Sequence, residues 1–397
     1  MELGQTAMGE PFQVVPKRPP CTGPLLAAAI LFAAASAVLA SQPRLAAQNA
    51  PQRDAPSRIL PRDPRLLYMG RVAFTGEEEA SFGFPGITLR FAYRGPAPRL
   101  LLGAGSATCF FNLSCNGWDP VLIHPPEGRS EVPLPSGPAP DSGWVVELVR
   151  RTESWQGLAT FHGLELPPGC ELLTPPPLPA RRLLIIGDSI TSGERLDSVA
   201  PEFDPSPRAT NAPRSYGMLL GRWLGAQVHL VSFGGRGLTR DWRGSSEVAN
   251  APQFFQRALP EDPGSRWEHA SYPPDVVLIC LGTNDFNSDL PEAFPFIKAY
   301  DRFLDEIRRV HPGAAVILAE SPVIGEAPGT LDRSKRDLLR RCLDGVVARR
   351  WAAGDIRVTL APLHKQPGTA RDPHPVAFQH ELIAEELLPV LRAMMGW

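Results

Sequence analysis

A proline run, Pro175-Pro176-Pro177-Leu178-Pro179, constrains the folding of this chain more than any other feature. Consecutive prolines fix φ and make a stiff, extended spacer, so no helix or sheet interior crosses it. The sequence changes rhythm there. Before it, Ile87, Leu89, Phe91 and Tyr93 alternate with Thr88, Arg90 and Ala92, the period of a half-buried strand. Leu100 to Leu102, Trp144 to Val149 and Leu158 to Phe161 are further short runs between Gly/Pro clusters. Short strands with turn signals and no helical period predict a β-sandwich over residues 66–178.

After the prolines, apolar strands alternate with helices over residues 179–397. Strands are expected at Leu183 to Ile186, Val228 to Phe233, Val276 to Leu281, Val316 to Leu318 and Ile356 to Leu360. Helical spacing links Tyr216, Leu219, Leu220, Trp223 and Leu224. It also links Phe296, Tyr300, Phe303, Ile307 and Val310, and finally Leu382, Ile383, Leu387, Leu388 and Leu391. Nearly continuous apolar strands predict an α/β domain whose parallel sheet is covered on both faces. In such sheets chemistry gathers at the carboxyl ends of the strands.

Ahead of both regions, Lys17 and Arg18 precede an apolar stretch from Leu25 to Leu39 and small residues ending at Ala40. This order predicts an export signal over residues 1–40, and hence a periplasmic or extracellular protein. The alternative is a retained anchor, because the uncharged stretch from Cys21 to Gln42 is just long enough to span a bilayer. After cleavage no stable membrane association is expected. Residues 41–65, polar and rich in Pro and Arg, are expected to form a disordered linker.

Charge excludes one class of partner. Lys plus Arg number 40 against 42 Asp plus Glu, with no basic block, so no nucleic-acid footprint is present. Cys109, Cys115, Cys170, Cys280 and Cys342 lie beyond the signal, an odd number that leaves a free thiol. Cys280, inside an apolar strand, reads as core. Pairing among Cys109, Cys115 and Cys170 stays open.

Four motifs fall at predicted strand ends or before the last helix. They are Gly187-Asp188-Ser189-Ile190-Thr191, Gly234-Gly235-Arg236-Gly237, Gly282-Thr283-Asn284-Asp285 and Asp372-Pro373-His374-Pro375. Together they fit acyl transfer. A serine hydroxyl needs a base to take its proton, and the base needs an orienting group. The tetrahedral oxyanion needs fixed donors, which a close-approaching glycine backbone and an Asn amide supply. Pro373 biases Asp372 towards extended backbone, so Asp372 and His374 project to the same side. Asp188 reads as a turn support, and His380 as a weaker alternative base. Each motif alone also reads as an ordinary turn or cap. His124, His162, His229, His269, His311, His364 and His380 show no metal-ligand spacing.

These motifs, in this order, resemble the SGNH or GDSL-type hydrolases. The resemblance implies Ser189 as nucleophile and His374 as base, with Asp372 orienting it. It also implies that Ser189, Gly235 and Asn284 form the oxyanion hole. Most of that superfamily sets two residues between Asp and His, whereas here Pro373 alone intervenes. Single-residue spacing resembles carbohydrate esterase family two, as do the stretch from Val145 to Phe161, the Gly235-Arg236-Gly237-Leu238 loop and the final Gly396-Trp397. That likeness implies a jelly-roll-like sandwich before a flavodoxin-like three-layer hydrolase domain, without metal or cofactor. In some members a backbone carbonyl replaces the carboxylate, so either could orient His374. The implied reaction is removal of acetyl groups from a polysaccharide or oligosaccharide such as acetylated xylan or glucomannan. Trp242 would then stack on a sugar ring, or else pack in the core. The alternatives are an esterase for lipid, thioester or cell-wall acetyl groups, and a glycan-binding protein with a vestigial site.

Overall fold

A computed structural model of the protein describes residues 57–134, 142–198, 206–324, 334–369 and 371–397. The expected signal and most of the expected linker lie outside them. Twelve antiparallel strands come first. They are β1 (Ser57–Ile59), β2 (Leu67–Met69), β3 (Ala73–Thr75), β4 (Glu79–Phe82), β5 (Thr88–Arg94) and β6 (Arg99–Ala104). Then follow β7 (Phe111–Cys115), β8 (Val121–Ile123), β9 (Gly128–Val132), β10 (Trp144–Arg150), β11 (Ala159–Leu166) and β12 (Glu171–Leu173).

They form two six-stranded sheets, β3-β4-β11-β6-β9 with β1 beside β11, and β12-β5-β10-β7-β8 with β2 beside β5. β10 shows the expected alternation. Trp144, Val146, Leu148 and Arg150 are buried, and Val145, Glu147 and Val149 less so. Its neighbour β5 sets Phe91 opposite Val146 and Leu89 opposite Leu148, which fixes the register through apolar pairs.

One expectation is corrected here. Ser57-Arg58-Ile59, assigned to the disordered linker, pairs antiparallel with Leu166-Glu165-Leu164. Edge pairing uses main-chain groups that any residue carries, so polar composition conceals it. The ordered sandwich therefore begins before residue 66. All five described cysteines are free thiols.

The second region holds β13 (Arg181–Gly187), α1 (Ser189–Ser192), α2 (Tyr216–Leu224), β14 (Ala226–Ser232), α3 (Ala251–Phe254) and β15 (Val276–Cys280). It continues with α4 (Ala293–Val310), β16 (Ala315–Ala319), α5 (Ser334–Ala352), β17 (Val358–Ala361) and α6 (Ala377–Met395). The five strands run parallel in the order β14-β13-β15-β16-β17. Every residue of β15 and β16 is buried, which explains their unbroken apolar sequence. Leu183, Ile185 and Leu278 pack with residues of α2 and α6 on one face. Leu184, Ile186 and Ile279 pack with α4 and α5 on the other, in a core continuous with that of the sandwich.

Ile356, placed in the last strand by its apolarity, precedes β17 and is exposed. Among the described residues no helix is long and apolar enough to cross a membrane. Strand order reverses about β13, and the carboxyl ends of β13, β14 and β15 meet at that switch point.

Candidate active site

Ser189 opens α1 two residues beyond the end of β13. Asp188 caps this short helix, its Oδ1 accepting the Ile190 N–H at 3.0 Å. Gly193 closes it in the left-handed conformation. The turn stands the serine at the sheet edge, where burial pushes the Asp188 carboxyl up to about 6.

His374 reaches the serine from the segment before α6. Its Nε2 lies 2.9 Å from Ser189 Oγ, and its Nδ1 lies 2.5 Å from Asp372 Oδ1. The same carboxylate oxygen accepts the His374 backbone N–H at 2.8 Å. With Nδ1–H directed at a carboxylate, Nε2 is the unprotonated nitrogen and has a lone pair available for the serine hydroxyl proton. The Asp372 backbone carbonyl is occupied elsewhere, accepting the Thr369 N–H at 2.8 Å. The hydrogen-bond partner of His374 Nδ1 is the Asp372 carboxylate.

Two charged side chains that the sequence reading missed complete the constellation. Arg195 forms an ion pair with Asp372 through its Nη1. Glu194 Oε2 lies 3.7 Å from His374 Nε2. Burial disfavours the imidazolium, but the Asp372 hydrogen bond and the charges of Glu194 and Asp372 outweigh it, and the His374 pKa is raised. Burial likewise opposes ionisation of Asp372. Its bonds to His374 and the Arg195 charge prevail, and its pKa is lowered. Neither Glu194 nor Arg195 lies in a recognisable motif, and Arg195 adopts φ +56°.

The glycine loop follows β14. Gly235 has φ +74°, and a Cβ there would stand 2.9 Å from the Trp242 ring, so conformation and space both demand glycine. Among the described residues no acceptor takes the N–H of Gly235 or of Ser189. Asn284, past β15, directs Nδ2 to the Arg236 carbonyl at 2.9 Å and, more weakly, to Asp188 Oδ2 at 3.4 Å. The long second contact leaves one N–H able to turn to a substrate oxygen.

Asp285 secures the loop from behind. Its carboxylate accepts the Leu238 N–H at 2.8 Å, the Thr239 N–H at 2.7 Å and the Arg240 N–H at 3.3 Å. Trp242, half exposed at 48 %, flanks the loop rather than entering the core. The sandwich contributes Trp155, equally exposed, whose indole nitrogen would lie 3.1 Å from a Cβ on Gly234.

His380, the alternative base, is buried away from this chemistry. Its Nδ1 accepts the Tyr216 N–H at 3.2 Å and its ring stacks on Tyr216. Burial lowers its pKa to about 3. No group of His, Cys, Asp and Glu among the described residues has the arrangement of a metal site.

Comparison with known proteins agrees with this geometry. Residues 185–378 match the GDSL-like lipase/acylhydrolase family and residues 68–176 the carbohydrate esterase 2 N-terminal family. An acetylxylan esterase / glucomannan deacetylase of Cellvibrio japonicus is 36% identical over 346 residues, 84% of this chain and 90% of that protein. A solved family two carbohydrate esterase from the same organism superposes with TM-score 0.79 at 32% identity, over 86% of this chain and 99% of that one. A family two carbohydrate esterase from Clostridium thermocellum, solved in complex with cellohexaose, superposes with TM-score 0.76 at 27% identity. That match covers 84% of this chain and 99% of the other.

Proposed function

This chain belongs to carbohydrate esterase family two, with a GDSL-type acylhydrolase domain, and we propose that it removes O-acetyl groups from polysaccharides of the xylan or glucomannan kind. The observation that carries the reading is the unbroken relay from Asp372 Oδ1 through His374 to Ser189 Oγ, with spacings of 2.5 and 2.9 Å. His374 takes the serine proton as Oγ attacks the acetyl carbonyl. The N–H groups of Ser189 and Gly235 and the amide of Asn284 hold the oxyanion, each donor being worth about 10²–10³ in rate. His374 then returns the proton to the departing sugar hydroxyl, leaving an acetyl-serine. Water, activated by the same histidine, hydrolyses that ester and releases acetate.

Trp155 and Trp242, half exposed on either side of the glycine loop, offer apolar faces on which sugar rings stack. The basic lead and apolar stretch ending at Ala40 support export, where polysaccharide is met. Acetate release from acetylated xylan and acetylated glucomannan tests the substrate against long-chain nitrophenyl esters. Efficient release from the polysaccharides is expected. A preference for the long-chain esters would reject the carbohydrate assignment.

A further inference from the structure

The sandwich contributes more to the site than a scaffold. Between β10 and β11, the segment Thr152-Glu153-Ser154-Trp155-Gln156 turns against the end of β14. Ser154 Oγ donates to the Ser232 carbonyl at 2.6 Å, and Gln156 Oε1 accepts the Glu153 N–H at 2.8 Å. These bonds drive the Glu153 side chain, fully buried, beneath the glycine loop. One carboxyl oxygen, Oε2, accepts the Gly234 N–H at 3.1 Å and the Ser154 N–H at 3.2 Å. The other, Oε1, is buried without a partner. Gly234 leaves it room, since a Cβ there would stand 2.8 Å from Oε1.

An ionised carboxylate at this position would place a charge at a buried oxygen that has only the Ser192 hydroxyl close by to compensate it. Both backbone N–H donors fall on Oε2, and burial of the whole group favours the neutral acid over the carboxylate. Two charged groups face it. Arg150, at the end of β10, donates from Nη2 to the Glu153 backbone carbonyl at 2.9 Å. Glu194, beyond α1, opposes a second negative charge. From α1 the Ser192 hydroxyl faces the carboxyl, and from β14 the loop offers the Gly234 N–H. Burial, reinforced by the Glu194 charge, pushes the Glu153 carboxyl up to about 8.

We propose that Glu153, supplied by the sandwich domain, is a positioning residue of the esterase site: its neutral carboxyl holds the Gly234–Gly235 loop for oxyanion binding, and its ionisation disarms the site. The inference rests on the reading of Ser189 and Gly235 as nucleophile and oxyanion donor. Gly235 is the next residue after the one Glu153 holds, so that bond anchors one side of the peptide that carries the Gly235 N–H. Loss of the Glu153 proton places a negative charge behind the position where the oxyanion develops. Like charges at close range in a low-dielectric site oppose the transition state without hindering substrate binding. The consequence is an alkaline fall in kcat as Glu153 ionises, distinct from the acid limb set by His374.

The test is the pH profile of kcat and KM on 4-nitrophenyl acetate for the wild type, Glu153→Gln and Glu153→Ala. Glutamine keeps an acceptor for Gly234 and a donor in place of the acid proton, but cannot ionise. It is expected to stay within about threefold of wild type at neutral pH and to lose the alkaline limb. Alanine frees the Gly234 N–H and is expected to lower kcat by about 10–100-fold at every pH with little change in KM. An alkaline limb unchanged in Glu153→Gln overturns the proposal. Should that variant fail to fold, the wild-type limb is read on warming. A carboxyl pKa hardly moves with temperature, whereas that of an amine, guanidinium or phenol falls, and a strongly moving limb overturns the proposal. Wild-type turnover of the acetyl ester checks the underlying esterase reading separately, since its absence rejects that reading whatever the limb.

Discussion

Asp372 performs two tasks through one oxygen: it fixes the His374 tautomer and raises its proton affinity. In the proposed mechanism only neutral His374 accepts the Ser189 proton, so activity is expected to rise with pH through a pKa above the usual histidine value. Asp372→Asn removes the charge and reverses the hydrogen-bond preference. Expected are a fall in kcat of about 10²–10⁴-fold and an acid limb displaced to lower pH, both read from pH–rate profiles. Glu194→Gln removes a second negative charge from the same imidazole. Its acid limb also moves to lower pH, and an unmoved limb in steady-state profiles would deny Glu194 that influence. At the proposed oxyanion hole, Asn284→Ala deletes one donor and is expected to lower kcat by about 10²–10³-fold with little change in KM. Ser189, Asn284 and His374 were legible as candidates because each sits in a short motif at a strand end or before the last helix. Arg195 and Glu194 were not, because a charged pair in a loop reads as solvated surface until the fold closes over it.

The elements differ in how openly their sequences declared them. β13, β15 and β16 are buried on both faces, and their apolar runs announced them. α4 carries a clean apolar stripe of Phe296, Tyr300, Phe303 and Ile307. α5 does not: arginines punctuate Ser334–Ala352, and several of them form ion pairs with acidic residues elsewhere in the fold. Its apolar positions are correspondingly sparse, and the sequence reading singled out no helix there. β1 is three residues whose place is decided by the open edge of β11. The glycine loop illustrates a further limit, since its glycines were visible but its support by Asp285 was not. Asp285→Ala strands three backbone N–H groups. Unfolding in urea is expected to show a loss of about 2–4 kcal/mol, with kcat falling as the loop loosens.

At the scale of the molecule, the sandwich and the parallel-sheet domain form one compact unit with a shared core. Arg151, buried at the junction, donates to the Asn112 side chain and to the carbonyls of Thr210 and Arg208, and pairs with Asp197 at 2.6 Å. It thereby ties the sandwich to the chain that leads on from Arg195. Arg151→Ala is expected to destabilise the whole protein by about 3–5 kcal/mol in a single unfolding transition. Two separate transitions would show that the halves fold independently. The proline run marked the division between two sequence rhythms, yet the packing across it depends on single buried polar residues that no periodicity reveals.

Ser189, the proposed nucleophile, is the residue on which these parts converge. Mass spectrometry after treatment with a serine-directed phosphonate tests that role most directly, comparing wild type with Ser189→Ala. One adduct, on the peptide bearing Ser189, is expected in the wild type and none in the variant. Equal labelling of Ser189→Ala, or an adduct on another residue of the inactivated wild type, would contradict it.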